Sequence, residues 1–169
     1  MYKEETINKM KKGCLIIGII CCLIAAFLCF CSFSTYLQFR AQVRIETDSA
    51  VPSIPDYIDQ FVYMLNGLTE IISAIVMIIA AIMFFYISKT GIPFTSKTMN
   101  MVRAIAVTHF LKAVVPFLIP VIIVGYHSEF IPWVITSSPL YLLMGLLFFF
   151  MSYIVKYGAQ LQQESDETL

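Results

Sequence analysis

Apolar and polar positions alternate along this chain in long blocks, without the short periods that mark a helix or strand half-buried in water. The first apolar block runs over about 13–39, behind the basic start Lys9, Lys11 and Lys12. Three more follow at about 65–87, 104–126 and 139–157. Each comes close to the roughly 20 apolar residues that a helix needs to cross the hydrocarbon core of a bilayer. The pattern therefore predicts an all-α polytopic membrane protein, a single four-helix transmembrane domain over 1–169 with a short acidic tail at 158–169. The basic start and Ser32-Phe33-Ser34 resemble a signal peptide and its cleavage site. The block is nevertheless longer than the roughly 7–15 residues of a signal core, so it reads as an uncleaved first span.

The connections carry more specific local chemistry. A polar stretch from Arg40 to about Met64 holds Arg44, Glu46, Asp48, Asp56 and Asp59, with Pro52 and Pro55 expected to break any continuous helix. After the second span, Gly91 is placed as a helix C-cap, Pro93 holds Ile92 extended, and Thr95 or Ser96 can cap the next helix. With Thr95 as N-cap, Phe94 and Met99 occupy the positions of a hydrophobic staple. Pro116 and Pro120, four apart on one face, predict a bend in the third span. An outer turn from His127 to Ser138 carries Glu129 and Trp133, and a polar tail is expected after Gly158.

Composition sharpens this picture. Charged residues make up 13% of the chain and apolar ones 59%, against about a quarter and 45–50% in soluble domains. Lipid is the solvent that such a surface fits. The formal net charge is zero and no basic segment interleaves with aromatics, which argues against direct nucleic-acid binding. Lys3, Lys9, Lys11, Lys12, Lys89, Lys97, Arg103 and Lys156 fall on one side of the predicted topology, and only Arg40 and Arg44 on the other. Basic loops stay in the cytoplasm, so both termini are expected there, in a multi-pass plasma-membrane protein. Tyr36, Tyr63, Tyr126 and Trp133 fall near the expected outer interface, and Tyr86 and Tyr157 near the inner one. All the cysteines (Cys14, Cys21, Cys22, Cys29 and Cys31) lie in the first block, where they read as small packing residues, with palmitoylation of Cys14 as the alternative.

Candidate chemistry is sparse. Intramembrane ionisable groups are costly and hence candidates for function. They are Glu70 in the second span and His109 and Lys112, three residues apart, in the third. A Glu70–Lys112 ion pair is attractive, but the predicted spans set the two at depths roughly 10–13 Å apart. Otherwise Lys112 snorkels to the cytoplasmic side and Glu70 to the outer side. His109 and His127 are expected on opposite sides, so they cannot share a metal. No nucleophile elbow, zinc-protease, phosphate-loop or dinucleotide signature occurs, and the spans hold no Asp. No catalytic, metal or cofactor-binding residue is assigned, and no enzyme is expected.

Gly91-x-Pro93-Phe94-Thr95, together with Gly158-x-x-Leu161-Gln162-x-Glu164-x-Asp166-x-Thr168-Leu169, resembles a family of small bacterial four-helix inner-membrane proteins. That family is catalogued as a domain of unknown function, number twenty-nine seventy-five. The resemblance covers nearly the whole chain in length, span order and motif placement. It implies a membrane protein often encoded beside a small helix-turn-helix regulator, and so one that holds or controls a cytoplasmic transcription factor. The function expected is a non-enzymatic membrane regulator or sensor. Partner contacts are assigned to Gly91, Pro93, Phe94, Leu161, Glu164 and Asp166. The alternatives are a small transporter or transporter subunit using Glu70, His109 and Lys112, which would need to form a homo-oligomer, and an immunity protein against a membrane-active peptide.

Overall fold

The computed structural model of the chain describes residues 2–47, 54–123 and 131–167, all but a short connection in helix. Four helices follow one another: α1 (Tyr2–Thr47), α2 (Ile54–Thr90), α3 (Ser96–Ile123) and α4 (Ile131–Glu167). Among the described residues, three segments are long and apolar enough to cross a membrane: Glu4–Ala41, Met64–Thr90 and Pro139–Ser165. In each, 17% of the apolar window is buried inside the protein. So much apolar surface left uncovered by the chain itself marks a protein built for lipid.

Helices exceed the apolar blocks that predict them. α1 has 46 residues, about 70 Å at 1.5 Å per residue, more than twice the hydrocarbon thickness. The apolar block bounds what lipid covers, whereas the helix continues wherever its backbone stays satisfied. The expected span starts near Leu65 and Pro139 agree with the segments beginning at Met64 and Pro139, and the helices run past them. α2 begins at Ile54, and Pro55, expected to break a helix, sits in its first turn, where a missing N–H costs nothing. α4 begins at Ile131 and passes through Pro139, so most of the expected outer turn is helical. The segment 158–167 continues α4 and is not a separate tail. α3 likewise runs helically past Pro116 and Pro120. Pro52, Tyr126, His127, Glu129, Thr168 and Leu169 lie outside the described residues, as do the side chains of Arg44, Asp56, Asp59, Tyr63, Pro116, Pro120, Trp133 and Asp166.

The helices form a row. α1 packs on α2, α3 packs on α4, and a smaller α2–α3 contact joins the two pairs. The α1–α2 seam is anchored at both ends by hydroxyl-to-carbonyl hydrogen bonds: Ser32 Oγ donates to Gly67 O at 3.2 Å and Ser88 Oγ to Lys11 O at 2.9 Å. Between these anchors a seven-residue step places Ala25 opposite Ala74 and Gly18 opposite Ala81, all four buried. Small residues at heptad spacing let antiparallel backbones approach closely, which is how helices associate where no water drives them together. The Phe85 ring fills the space beside Gly18, where a Cβ would lie 2.9 Å from it. The α3–α4 seam uses the same device. Gly145 lies against Phe110 and against the carbonyl of Ala106, and Ala106, Ala113 and Ser152 are buried along it.

Candidate functional site

The best-defined local structure is the α2–α3 connection. The Gly91 N–H donates to Ile87 O at 2.7 Å with Gly91 at φ +73°, the left-handed C-cap that only glycine adopts without strain. Thr90 Oγ1 donates to Tyr86 O and accepts from the Ile92 N–H, which satisfies two further groups at the helix end. Thr95 is the N-cap of α3. Its Oγ1 accepts from the Thr98 N–H at 3.1 Å, and its carbonyl accepts from the Met99 N–H. The expected caps at Gly91 and Thr95 are both present.

Phe94 does something the staple expectation missed. Its ring lies over the backbone of Gly158, so close that a Cβ there would sit 2.8 Å from the ring. Gly158 is therefore a seat for Phe94 within a continuous helix; Gly91 is the one described glycine with positive φ. Gly91 in turn abuts Lys11 and Ile7 of α1, its missing Cβ 2.6 Å from Lys11 Cε. Thus the start of α1, the connection and the end of α4 meet at one end of the molecule. Of the residues assigned to partner contacts, Gly91, Phe94 and the α4 extension are brought together there. Leu161 and Glu164 are exposed on that extension. A cleft of about 220 Å³ lies beside them, between the first turn of α3 (Thr95, Ser96, Met99) and Lys156, Ala159, Gln160 and Gln163 of α4.

The intramembrane polar groups are separately housed. Thr35 Oγ1 lies 3.4 Å from Glu70 Oε2 and also 3.0 Å from Cys31 O. Lys112 Nζ donates to Ser73 Oγ at 2.5 Å and stands 4.1 Å from the centre of the Tyr141 ring. Ser73 Oγ itself donates to Thr69 O. The ammonium is thus held by a hydroxyl and a π face from two neighbouring helices, and not by the Glu70 carboxylate one turn away. His109 Nδ1 is 2.9 Å from Ile105 O, and its ring tilts against Phe148 at 5.3 Å. Glu70 meets Thr35 of α1 and His109 packs on Phe148 of α4, whereas Lys112 reaches both Ser73 of α2, one turn from Glu70, and Tyr141 of α4. An apolar notch of about 370 Å³ opens between α1 and α2, with Ser32, Thr35, Tyr36 and Gly67 among its walls. The Ser32 and Thr35 hydroxyls donate to protein acceptors, which leaves the notch little polar character. Of the cysteines, Cys21 is buried, Cys14 and Cys31 are half-buried, and Cys22 and Cys29 are exposed.

Among the described residues, these features define an all-helical chain with three helices long and apolar enough to cross a membrane, and one capped, glycine-dependent face where the early turns of α1, the α2–α3 connection and α4 around Gly158 meet. Comparison with models of known families, with curated proteins and with solved structures returns no match to the chain.

Proposed function

We propose that the chain is a non-enzymatic membrane regulator, spanning the bilayer four times with both termini in the cytoplasm, that holds a cytoplasmic partner on its converged face. The observation that carries this reading is the Phe94–Gly158 seat. It ties the α2–α3 connection to the α4 extension, and the Gly91–Lys11 contact ties that connection to α1. A shift of any helix in the bilayer is then felt at the surface that bears Leu161 and Glu164. The excess of Lys and Arg on this side supports its assignment to the cytoplasm. The acidic extension suits a basic partner, and a small helix-turn-helix regulator in a bacterial inner membrane setting is the partner implied by the resemblance above. The transport reading has less support, because Glu70, His109 and Lys112 each have a hydrogen-bond partner other than one of the three.

A crosslinking pull-down from native membranes tests this, comparing the full chain with one ended after Tyr157 and with the E164K/D166K variant. A stoichiometric soluble partner captured by the full chain and lost from both variants is the expected result. Equal capture by all three would remove the α4 extension from the account.

A further inference from the structure

We propose that the cleft between α3 and α4 is a binding site for the phosphodiester headgroup of an anionic phospholipid. Its α4 wall is Lys156, Gln160 and Gln163, spaced four and three residues apart and so on one helix face. Its α3 wall is Ser96 and Met99, from the first turn beyond the Thr95 cap. Together they offer one ammonium, two primary amides and a hydroxyl around a cavity of about 220 Å³. Phosphate oxygens are strong acceptors that such donors satisfy with charge-assisted hydrogen bonds. Arg103 lies four residues after Met99 on the same face of α3, and its Nε is buried without a hydrogen-bond partner.

Depth and charge argue for a lipid as the source of that phosphate. Lys156 is the first charged residue after the apolar run 139–155 of α4, the place where a membrane helix meets the headgroups, with the exposed Tyr153 and Tyr157 beside it. On the far side of the cleft from the apolar run, Gln163 Nε2 donates to Glu167 Oε1 at 2.9 Å, and Glu164 is exposed. Carboxylates there repel a free polyanion arriving from water, while the membrane side carries no acidic residue in the apolar run of α4. Basic pockets between membrane helices at the headgroup level hold anionic lipids in this way. The inference stands on the cleft and on the membrane-crossing length of α4, and does not depend on any cytoplasmic partner.

The test is native mass spectrometry of the full chain in a neutral detergent, titrated with phosphatidylglycerol or phosphatidylcholine. Phosphatidylglycerol is expected to be retained in preference to phosphatidylcholine. K156Q should weaken that retention about fivefold, the weight of one lysine at an anionic lipid surface, while K156R keeps it. K89Q removes the same charge from an exposed lysine outside the cleft and should leave retention unchanged. Equal retention of the two lipids would overturn the proposal, as would an equal loss in K89Q and K156Q. Displacement of the lipid by glycerol phosphate or inorganic phosphate at matching concentrations would overturn the lipid source and leave a soluble anion as the ligand.

Discussion

Leucine at Ala74 is expected to force α1 and α2 apart and to lower stability by about 1–3 kcal/mol, the usual cost of overpacking a close contact. Ala74 is 3% exposed and stands opposite Ala25, which is 5% exposed, in the register fixed by the Ser32–Gly67 and Ser88–Lys11 hydrogen bonds. Neither backbone can retreat without breaking one of those anchors. Ile75, the next residue, is 44% exposed and faces away from α1, so I75L should change stability by less than about 0.5 kcal/mol. Unfolding of the two variants in mixed micelles separates the cases. Equal behaviour of A74L and I75L would contradict the heptad seam.

The second large effect is expected at Gly91. Valine there must adopt φ near +73°, where a β-branched side chain is strained, at about 1–2 kcal/mol for the backbone alone. Its Cβ would also displace Lys11, although a lysine end can swing aside at little cost. Asparagine tolerates the left-handed region, so G91N should be milder than G91V. The order Gly, Asn, Val in unfolding midpoint supports a backbone origin. Equal losses in G91N and G91V would mean that crowding by α1, and not the left-handed cap, sets the requirement.

Local chemistry was the most legible part of the sequence. Gly91 and Thr95 act through their own φ preference and hydroxyl, which need no knowledge of what packs nearby. The helix limits were not legible in the same way. Hydropathy marks which stretches are apolar, and α1, α2 and α4 continue as helix beyond them. Gly158 followed by polar residues looks like a stop, yet the glycine is there because the Phe94 ring occupies the place of its Cβ. That pairing depends on a tertiary contact between residues far apart in the chain. The seam of Gly18, Ala25 and Ser32 against Gly67, Ala74 and Ala81 is written in the sequence at seven-residue spacing, but it sits inside uniformly apolar blocks. Residue size, which hydropathy does not weigh, was the signal that could have found it. The relation of Glu70 to Lys112 was equally out of reach. Span arithmetic gives a depth difference, whereas helix packing decides that Ser73 and Tyr141 take the ammonium.

On the proposed reading, the end where α1, the α2–α3 connection and α4 converge holds a soluble cytoplasmic partner. Photo-crosslinking in living cells from a photoreactive residue at Leu161, alone and combined with G158V, tests it most directly. Leu161 is exposed one turn from the Phe94 seat, and a valine side chain at 158 displaces the ring from α4. One dominant crosslink to a soluble cytoplasmic protein is expected, and its loss when G158V unseats Phe94 while the chain remains folded in the membrane. Crosslinks to lipid or membrane proteins alone, or a soluble crosslink indifferent to G158V, would contradict it.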